Sequence, residues 1–292
     1  MTLDAWRAGG RTFAYRGHPV FYRDQGAGPV VLCVHGFPTA SFDWHRLWGR
    51  LVARWRAIAP DMLGFGFSAK PRPYPYSIMD QAALHEALLA ALGVDRVVVL
   101  AHDYGDTVAQ ELLARFAERR AAGTPGLALR GVCFLNGGLF PEAHRARFIQ
   151  RLLASPLGPL LSRLANEASF RASFAAVFGA HTQPTAAELH DFWTLVRHDH
   201  GERIGHLLIR YMDERRRHRE RWVGALTTAT VPLRLVDGAD DPVSGRHMAE
   251  RYREIVPAPD VVVLDGIGHY PQIEDPDGVW QAFEAFAARL VP

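Results

Sequence analysis

The chain has 292 residues, 48% of them hydrophobic and 22% charged, with a formal net charge of +2. That is an ordinary globular composition, long enough to bury a substantial core as one α/β domain with or without an insert. The near-neutral charge argues against a nucleic acid or a membrane as partner, and no apolar run approaches the ~20 residues of a bilayer span. Met1–Arg7 has no apolar signal-peptide core. The two cysteines, Cys33 and Cys133, each lie in a strand-like run and read as buried free thiols, so a cytoplasmic protein is expected.

Thr12–Tyr15 and Pro19–Arg23 read as strands around a Gly17-His18 turn, and Pro29–Val34 reads as a buried strand. His35-Gly36-Phe37-Pro38 follows at once. Gly36 permits close approach to the backbone, and an N–H after such a strand end can serve as half of an oxyanion hole. Arg46–Trp55 looks helical and Arg56–Pro60 is another strand. Asp61–Ser68 is glycine-rich, but Pro71, Pro73 and Pro75 prevent the helix that a dinucleotide-binding loop would open. Ile78–Leu92 is a helix closed by Gly93.

Val97–Ala101 is a buried strand. Beyond it, Gly105, Val108, Ala109, Leu112, Leu113 and Phe116 recur at helical spacing. The junction Ala101-His102-Asp103-Tyr104-Gly105 is small-x-Asp-x-small, the layout of a sharp strand-to-helix elbow that presents one side chain to a pocket. Most such elbows carry Ser; this one carries Asp103. The helix is expected to end at Glu118–Arg120, with Ala121–Gly126 as loop. Gly131–Leu135 is a strand closed by Asn136-Gly137-Gly138. This alternation predicts a parallel, doubly wound sheet.

Between Leu139 and Val223 the alternation stops, and a helical segment without strands would form a lid. Within it, Phe140, Phe174, Phe178 and Trp193 could line an apolar pocket, although Phe174 and Phe178 read as core at their helical spacing. His198-Asp199-His200 suits a solvated turn better than a metal site. Glu214–Arg221 reads as a solvated helix face. Strands resume at Pro232–Asp237 and Asp260–Leu264, and Val279–Leu290 is the closing helix.

A carboxylate nucleophile needs a base to activate water and an acid to orient that base. Val236–Pro242 supplies two candidate acids, Asp240 and Asp241. Leu264–Gln272 supplies one imidazole, His269, flanked by glycines. The order nucleophile, acid, histidine is that of the α/β-hydrolases.

Taken in order, His35–Trp44, Leu63–Pro73, His102–Asp106, Asn136–Glu142, Arg221–Leu226 and Gly268–Gln272 resemble the epoxide hydrolase and haloalkane dehalogenase superfamily over nearly the whole chain. Within it, the chain is most similar to the mesoderm-specific transcript family and its bacterial relatives. The resemblance implies an α/β-hydrolase fold: a mostly parallel eight-stranded sheet with helices on both faces. The core would span 1–138 and 224–292, with a helical cap, 139–223, inserted after the sixth strand. It makes Asp241, in Gly238-Ala239-Asp240-Asp241-Pro242, the acid. It implies catalysis by Asp103, Asp241, His269 and the cap residue Tyr211, with backbone N–H groups of Phe37 and Tyr104 as oxyanion hole. Phe37, Tyr104, Trp193 and Tyr211 would contact substrate. No metal or cofactor is implied, and the protein would be a monomer or homodimer acting on a small apolar epoxide or halide and water.

Chemistry narrows the choice. Carboxylate attack on an ester gives a mixed anhydride, no easier to form than the substrate was. Attack on an sp³ carbon gives an alkyl ester that water can then hydrolyse. Halide release needs N–H donors, and the dehalogenase pattern puts a Trp after the nucleophile; Tyr104 and Phe37 depart from that pattern. A fluoroacetate enzyme would need an arginine where Tyr104 stands. Epoxide opening needs a proton donor, usually two cap tyrosines; here only Tyr211 answers. The expectation is therefore epoxide hydrolysis, then dehalogenation, with a receptor on a hydrolase fold as the alternative of another class.

Overall fold

The computed structural model describes residues 1–290. Its single sheet has eight strands: β1 (Arg11–Tyr15), β2 (His18–Gln25), β3 (Val30–Val34), β4 (Arg56–Pro60), β5 (Arg96–His102), β6 (Ala128–Leu135), β7 (Leu233–Gly238) and β8 (Val261–Leu264). They are ordered β1-β2-β4-β3-β5-β6-β7-β8. The β1–β2 and β2–β4 pairs are antiparallel and all others parallel.

Alternation along the central strands explains the two-sided architecture. Leu32, Val34, Val99, Ala101, Val132 and Phe134 belong to one apolar cluster; Val31, Cys33, Val98, Leu100, Cys133 and Leu135 belong to the other. Successive strand residues point to opposite faces, so a continuous apolar run requires cover on both. Helices Ile78–Ala91 and Tyr104–Ala122 cover the first face, and Trp48–Arg54 and Pro276–Ala287 the second. Both cysteines are buried and free.

The sheet winds from β3 to β4 on one side and resumes at β5 on the other. Such a switch leaves a crevice at the carboxyl ends of the neighbouring strands. The residues after β3 and β5, His35–Phe37 and Asp103, therefore emerge side by side.

Between β6 and β7 the chain is helical, from Phe148–Leu153 to Arg219–Thr227. Differences from the sequence reading lie at element ends. The Tyr104–Ala122 helix runs two residues into the expected loop before Gly123, whose left-handed φ of 64° closes it. The last helix begins earlier, at Pro276, because Asp275 caps it through the Gly278 N–H. Helices Leu3–Ala8 and Arg246–Ile255 are additional. Among the described residues no helix is long and apolar enough to cross a membrane.

Candidate active site

Asp103 has φ 48° and ψ −105°, a backbone state that costs a non-glycine residue roughly 1–3 kcal/mol. The turn closes because Gly105 has no side chain: a Cβ there would stand 2.4 Å from the Val34 carbonyl. Asp103 is 3% exposed. The Phe37 N–H donates to its Oδ2 at 3.1 Å. The Tyr104 N–H makes no such bond to the carboxylate.

The acid is held from four sides. Val243 N–H donates to Asp241 Oδ1 at 2.7 Å; Ser244 N–H and Asn136 Nδ2 donate to Oδ2, both at 3.1 Å. Ser244 Oγ lies 2.9 Å from Oδ2. Asn136 also accepts the Gly238 N–H at 2.7 Å, tying the end of β6 to the loop after β7. His269 Nδ1 then reaches Asp241 Oδ2 at 2.7 Å. Asp240 points to solvent.

Electrostatics follow from this packing. Burial opposes ionisation of Asp241, but His269 and the donors around it hold its carboxyl below the ordinary value. Asp103 behaves alike: burial opposes, while His269 and Arg215 hold it down. His269 is penalised by burial, yet Asp241 first and Asp103 next raise its imidazole to about 9. It is an imidazolium between two carboxylates at neutral pH.

Its loop is clamped to the helical segment above. Gly268 fits where a Cβ would stand 2.5 Å from Gly179 N, and His269 N–H donates to the Val177 carbonyl at 2.9 Å. Glu274 accepts the Gly179 and Gly268 N–H groups, each at 2.8 Å. His102 Nε2 lies 2.7 Å from the His269 carbonyl, so Nε2 carries the proton of that buried imidazole.

A cavity of about 750 Å³ opens beside His269, walled by Phe37, Phe65, Phe174, Trp193, His269 and Tyr270 among mostly apolar residues; Asp103 lies behind this wall. The glycine-rich loop also serves as cavity wall through Gly64–Gly66, and Lys70 Nζ binds that loop's carbonyls at Gly66 and Ser68. Phe174 thus lines the pocket, while Phe140 is buried against Tyr252. Tyr104 and Tyr211 do not line it. They pack together, centroids 4.9 Å apart, and Tyr211 also meets Phe37 at 6.0 Å. The Tyr211 hydroxyl is buried without a partner. Burial, then Asp103, push its phenol up, so it stays protonated.

The charge run Glu214–Arg221 corrects its sequence reading as a solvated face. Arg215 is 2% exposed. Its Nε donates to Thr107 Oγ1 at 2.7 Å and its Nη2 to the Asp103 carbonyl at 3.0 Å, with Nη2 also 3.7 Å from Asp103 Oδ1. The guanidinium sits 4.5 Å above the Tyr211 ring. Glu214 is half-buried, pushed up to about 7 by burial. Arg221 pairs with Glu111 and Glu118. A signal existed: Arg215 is four residues beyond Tyr211, hence on the same helix face. Nothing local in the sequence marks Ser244, Glu274 or the half-buried His144, whose two ring nitrogens are buried without partners, and Asn136 reads there only as the close of a strand.

An elbow acid and a buried carboxylate–histidine pair, on loops at the carboxyl edge of a mostly parallel sheet, define a hydrolase-type site. A model of the alpha/beta hydrolase family matches residues 31–282, and the chain belongs to that family. It is 42% identical over 295 residues to the mesoderm-specific transcript protein of Mus musculus, covering 97% of this chain and 87% of that one. It is 41% identical to the putative hydrolase LipZ of Mycobacterium tuberculosis, covering 95% of each. Its fold superimposes on haloalkane dehalogenase DbeA from Bradyrhizobium elkani with a TM-score of 0.79, at 23% identity and over 96% of this chain and 98% of that one.

Proposed function

We propose that the protein opens an apolar epoxide to a diol through a covalent ester on Asp103. The observation that carries this reading is the Asp103 carboxylate on the elbow, one oxygen bound by the Phe37 N–H. Asp103 Oδ1 attacks an epoxide carbon; the carbon–oxygen bond breaks, and its electron pair takes the Tyr211 proton. Solvent returns a proton to Tyr211. With the Asp103 charge gone, the His269 imidazolium gives its proton to solvent; the neutral imidazole then removes a proton from water, and the hydroxide adds to the ester carbonyl. The resulting oxyanion sits on the Phe37 N–H. Collapse expels the diol oxygen, which takes the proton back from His269; the Asp103 carboxyl so formed then passes its own proton to the neutral imidazole, restoring the carboxylate and the imidazolium.

The electrostatics support that order. Esterification removes the Asp103 charge, one of the groups that raise His269. The imidazolium becomes more acidic when a neutral base is needed, while Asp241 keeps the ring oriented. Tyr211 is protonated and unpartnered; it stands behind the Phe37 wall of the cavity, so its donation to the substrate oxygen requires that wall to move on binding. Dehalogenation is the second reading: Arg215 Nη1, buried and unpartnered near the nucleophile, offers a charged N–H donor for a departing halide.

The test is the intact mass of His269→Gln after exposure to epoxides and haloalkanes. Without the base the ester should accumulate. A gain equal to the whole epoxide, absent in Asp103→Asn, supports the proposal. A gain equal to the alkyl group alone makes the protein a dehalogenase. No adduct, with an inactive wild type, overturns both and favours a receptor.

A further inference from the structure

Among the described residues six large apolar side chains are exposed: Met1, Phe148, Ile149, Leu157, Leu160 and Leu164. Five of them fall on helices Phe148–Leu153 and Gly158–Leu164 and the turn between. Phe148 is 78% and Leu164 63% exposed. Single exposed leucines are ordinary; a contiguous patch on one element marks a surface that another phase or molecule covers.

Charge on the same stretch is one-sided. Between Ala143 and Asn166 there are four arginines and no acid, a bias hidden by the whole-chain charge of +2. Arg145, Arg151 and Arg163 are exposed. The flanking acids are already engaged, Glu142 by Arg219 and Arg251, and Glu167 by Arg171 and His190. The stretch also forms part of the cavity wall: Arg147, Ile149, Leu153, Leu161 and Leu164 line it.

We propose that this face of the cap seats on an anionic lipid bilayer, with Phe148, Leu157, Leu160 and Leu164 dipped into the headgroup–acyl boundary and the arginines against lipid phosphates. Apolar side chains rimmed by arginine are what interfacial helices present to such a surface. A second copy fits poorly. A two-fold contact would bring these arginines together with no acid in the stretch to pair them. The cavity would face the membrane, so an apolar ligand dissolved in lipid could enter without crossing water. The docking stands whether or not the site opens epoxides.

The test is co-sedimentation with vesicles of phosphatidylcholine, with and without phosphatidylglycerol. Binding to the anionic vesicles is expected, weakened about tenfold by Leu157→Ser with Leu160→Ser, and weakened also by Arg151→Ala with Arg163→Ala or by salt. Both pairs are exposed, so folding is not at risk; circular dichroism checks this. Cys33 and Cys133 are fully buried, so Leu160→Cys gives one labelling site. A polarity-sensitive dye there should shift to the blue with anionic vesicles. No binding, or binding indifferent to both double variants, overturns the proposal. So does a solution dimer that Leu160→Glu splits, which would assign the face to a second copy.

Discussion

On the sheet side of the site, the acid is held by a full set of bonds and the nucleophile by one. Asp241 is held by Val243, Ser244, Asn136 and His269, and Asp103 by Phe37. On the helical side, Tyr211 Oη, Arg215 Nη1 and both His144 nitrogens are buried without partners. A buried polar group left unpaired costs about 1–3 kcal/mol. The acid on the sheet side is organised before any ligand arrives; the helical side keeps donor capacity for one. Two acids behind the sheet side, Asp106 and Asp237, are also buried with unpartnered oxygens. Burial, then Asp103, raise Asp106; burial, then Asp241, push Asp237 up to about 8. They stay neutral and leave the negative charge on Asp103 and Asp241.

The comparison can be broken most forcefully at Asp103. Asp103→Asn should lower turnover of a processed epoxide by about 10⁴-fold with little change in melting temperature, since the amide keeps an acceptor for Phe37. An active Asn variant would mean that the sheet side does not supply the nucleophile.

Tyr211→Phe should lower kcat by about 10²-fold. Because the hydroxyl has no partner, stability should hold or rise slightly. A large fall in stability with unchanged kcat would make Tyr211 a packing residue only.

Arg215→Met should lower kcat/KM by roughly tenfold and destabilise by about 3 kcal/mol, read by urea unfolding. The exposed neighbour Arg216→Met should stay within about 0.5 kcal/mol. Equal effects would return the whole run to a solvated face.

The smallest effect concerns pH. Asp237 is raised by burial, so the folded state holds its proton more tightly than the unfolded chain does. Its contribution is present below about pH 4 and is lost as pH rises through about 8. His269, raised to about 9, adds stability below about pH 6.5 that is lost as pH passes 9. Thermal midpoints should therefore fall from pH 6 to 9, and Asp237→Asn should flatten the earlier part of that fall. An unchanged slope would show that Asp237 titrates normally.

Much of this molecule is legible in its order of residues. Runs such as Val97–Leu100 read as buried strands, and an Asp between Ala101 and Gly105 at the start of a helical period has the layout of an elbow. Asp241 and His269 follow at later strand ends, where the fold brings loops together. Those features are local: they depend on side-chain period, small residues at a tight turn and chain order. The helix Arg246–Ile255 was less readable because its charged residues outnumber the few that pack.

What the order of residues alone left open was decided by distant contacts. The resemblance names Asp241, but the physical reason lies in the fold: the loop turns this carboxylate, not that of Asp240, inward against Ser244, an Asn and an imidazole. Arg215, inside a run of charges, becomes a buried cation because its helix lies across Asp103. The imidazole of His269 rises because two carboxylates far apart in the chain converge on it. Burial and Coulomb energy depend on distance in space, and the linear chain carries no record of that distance until it folds.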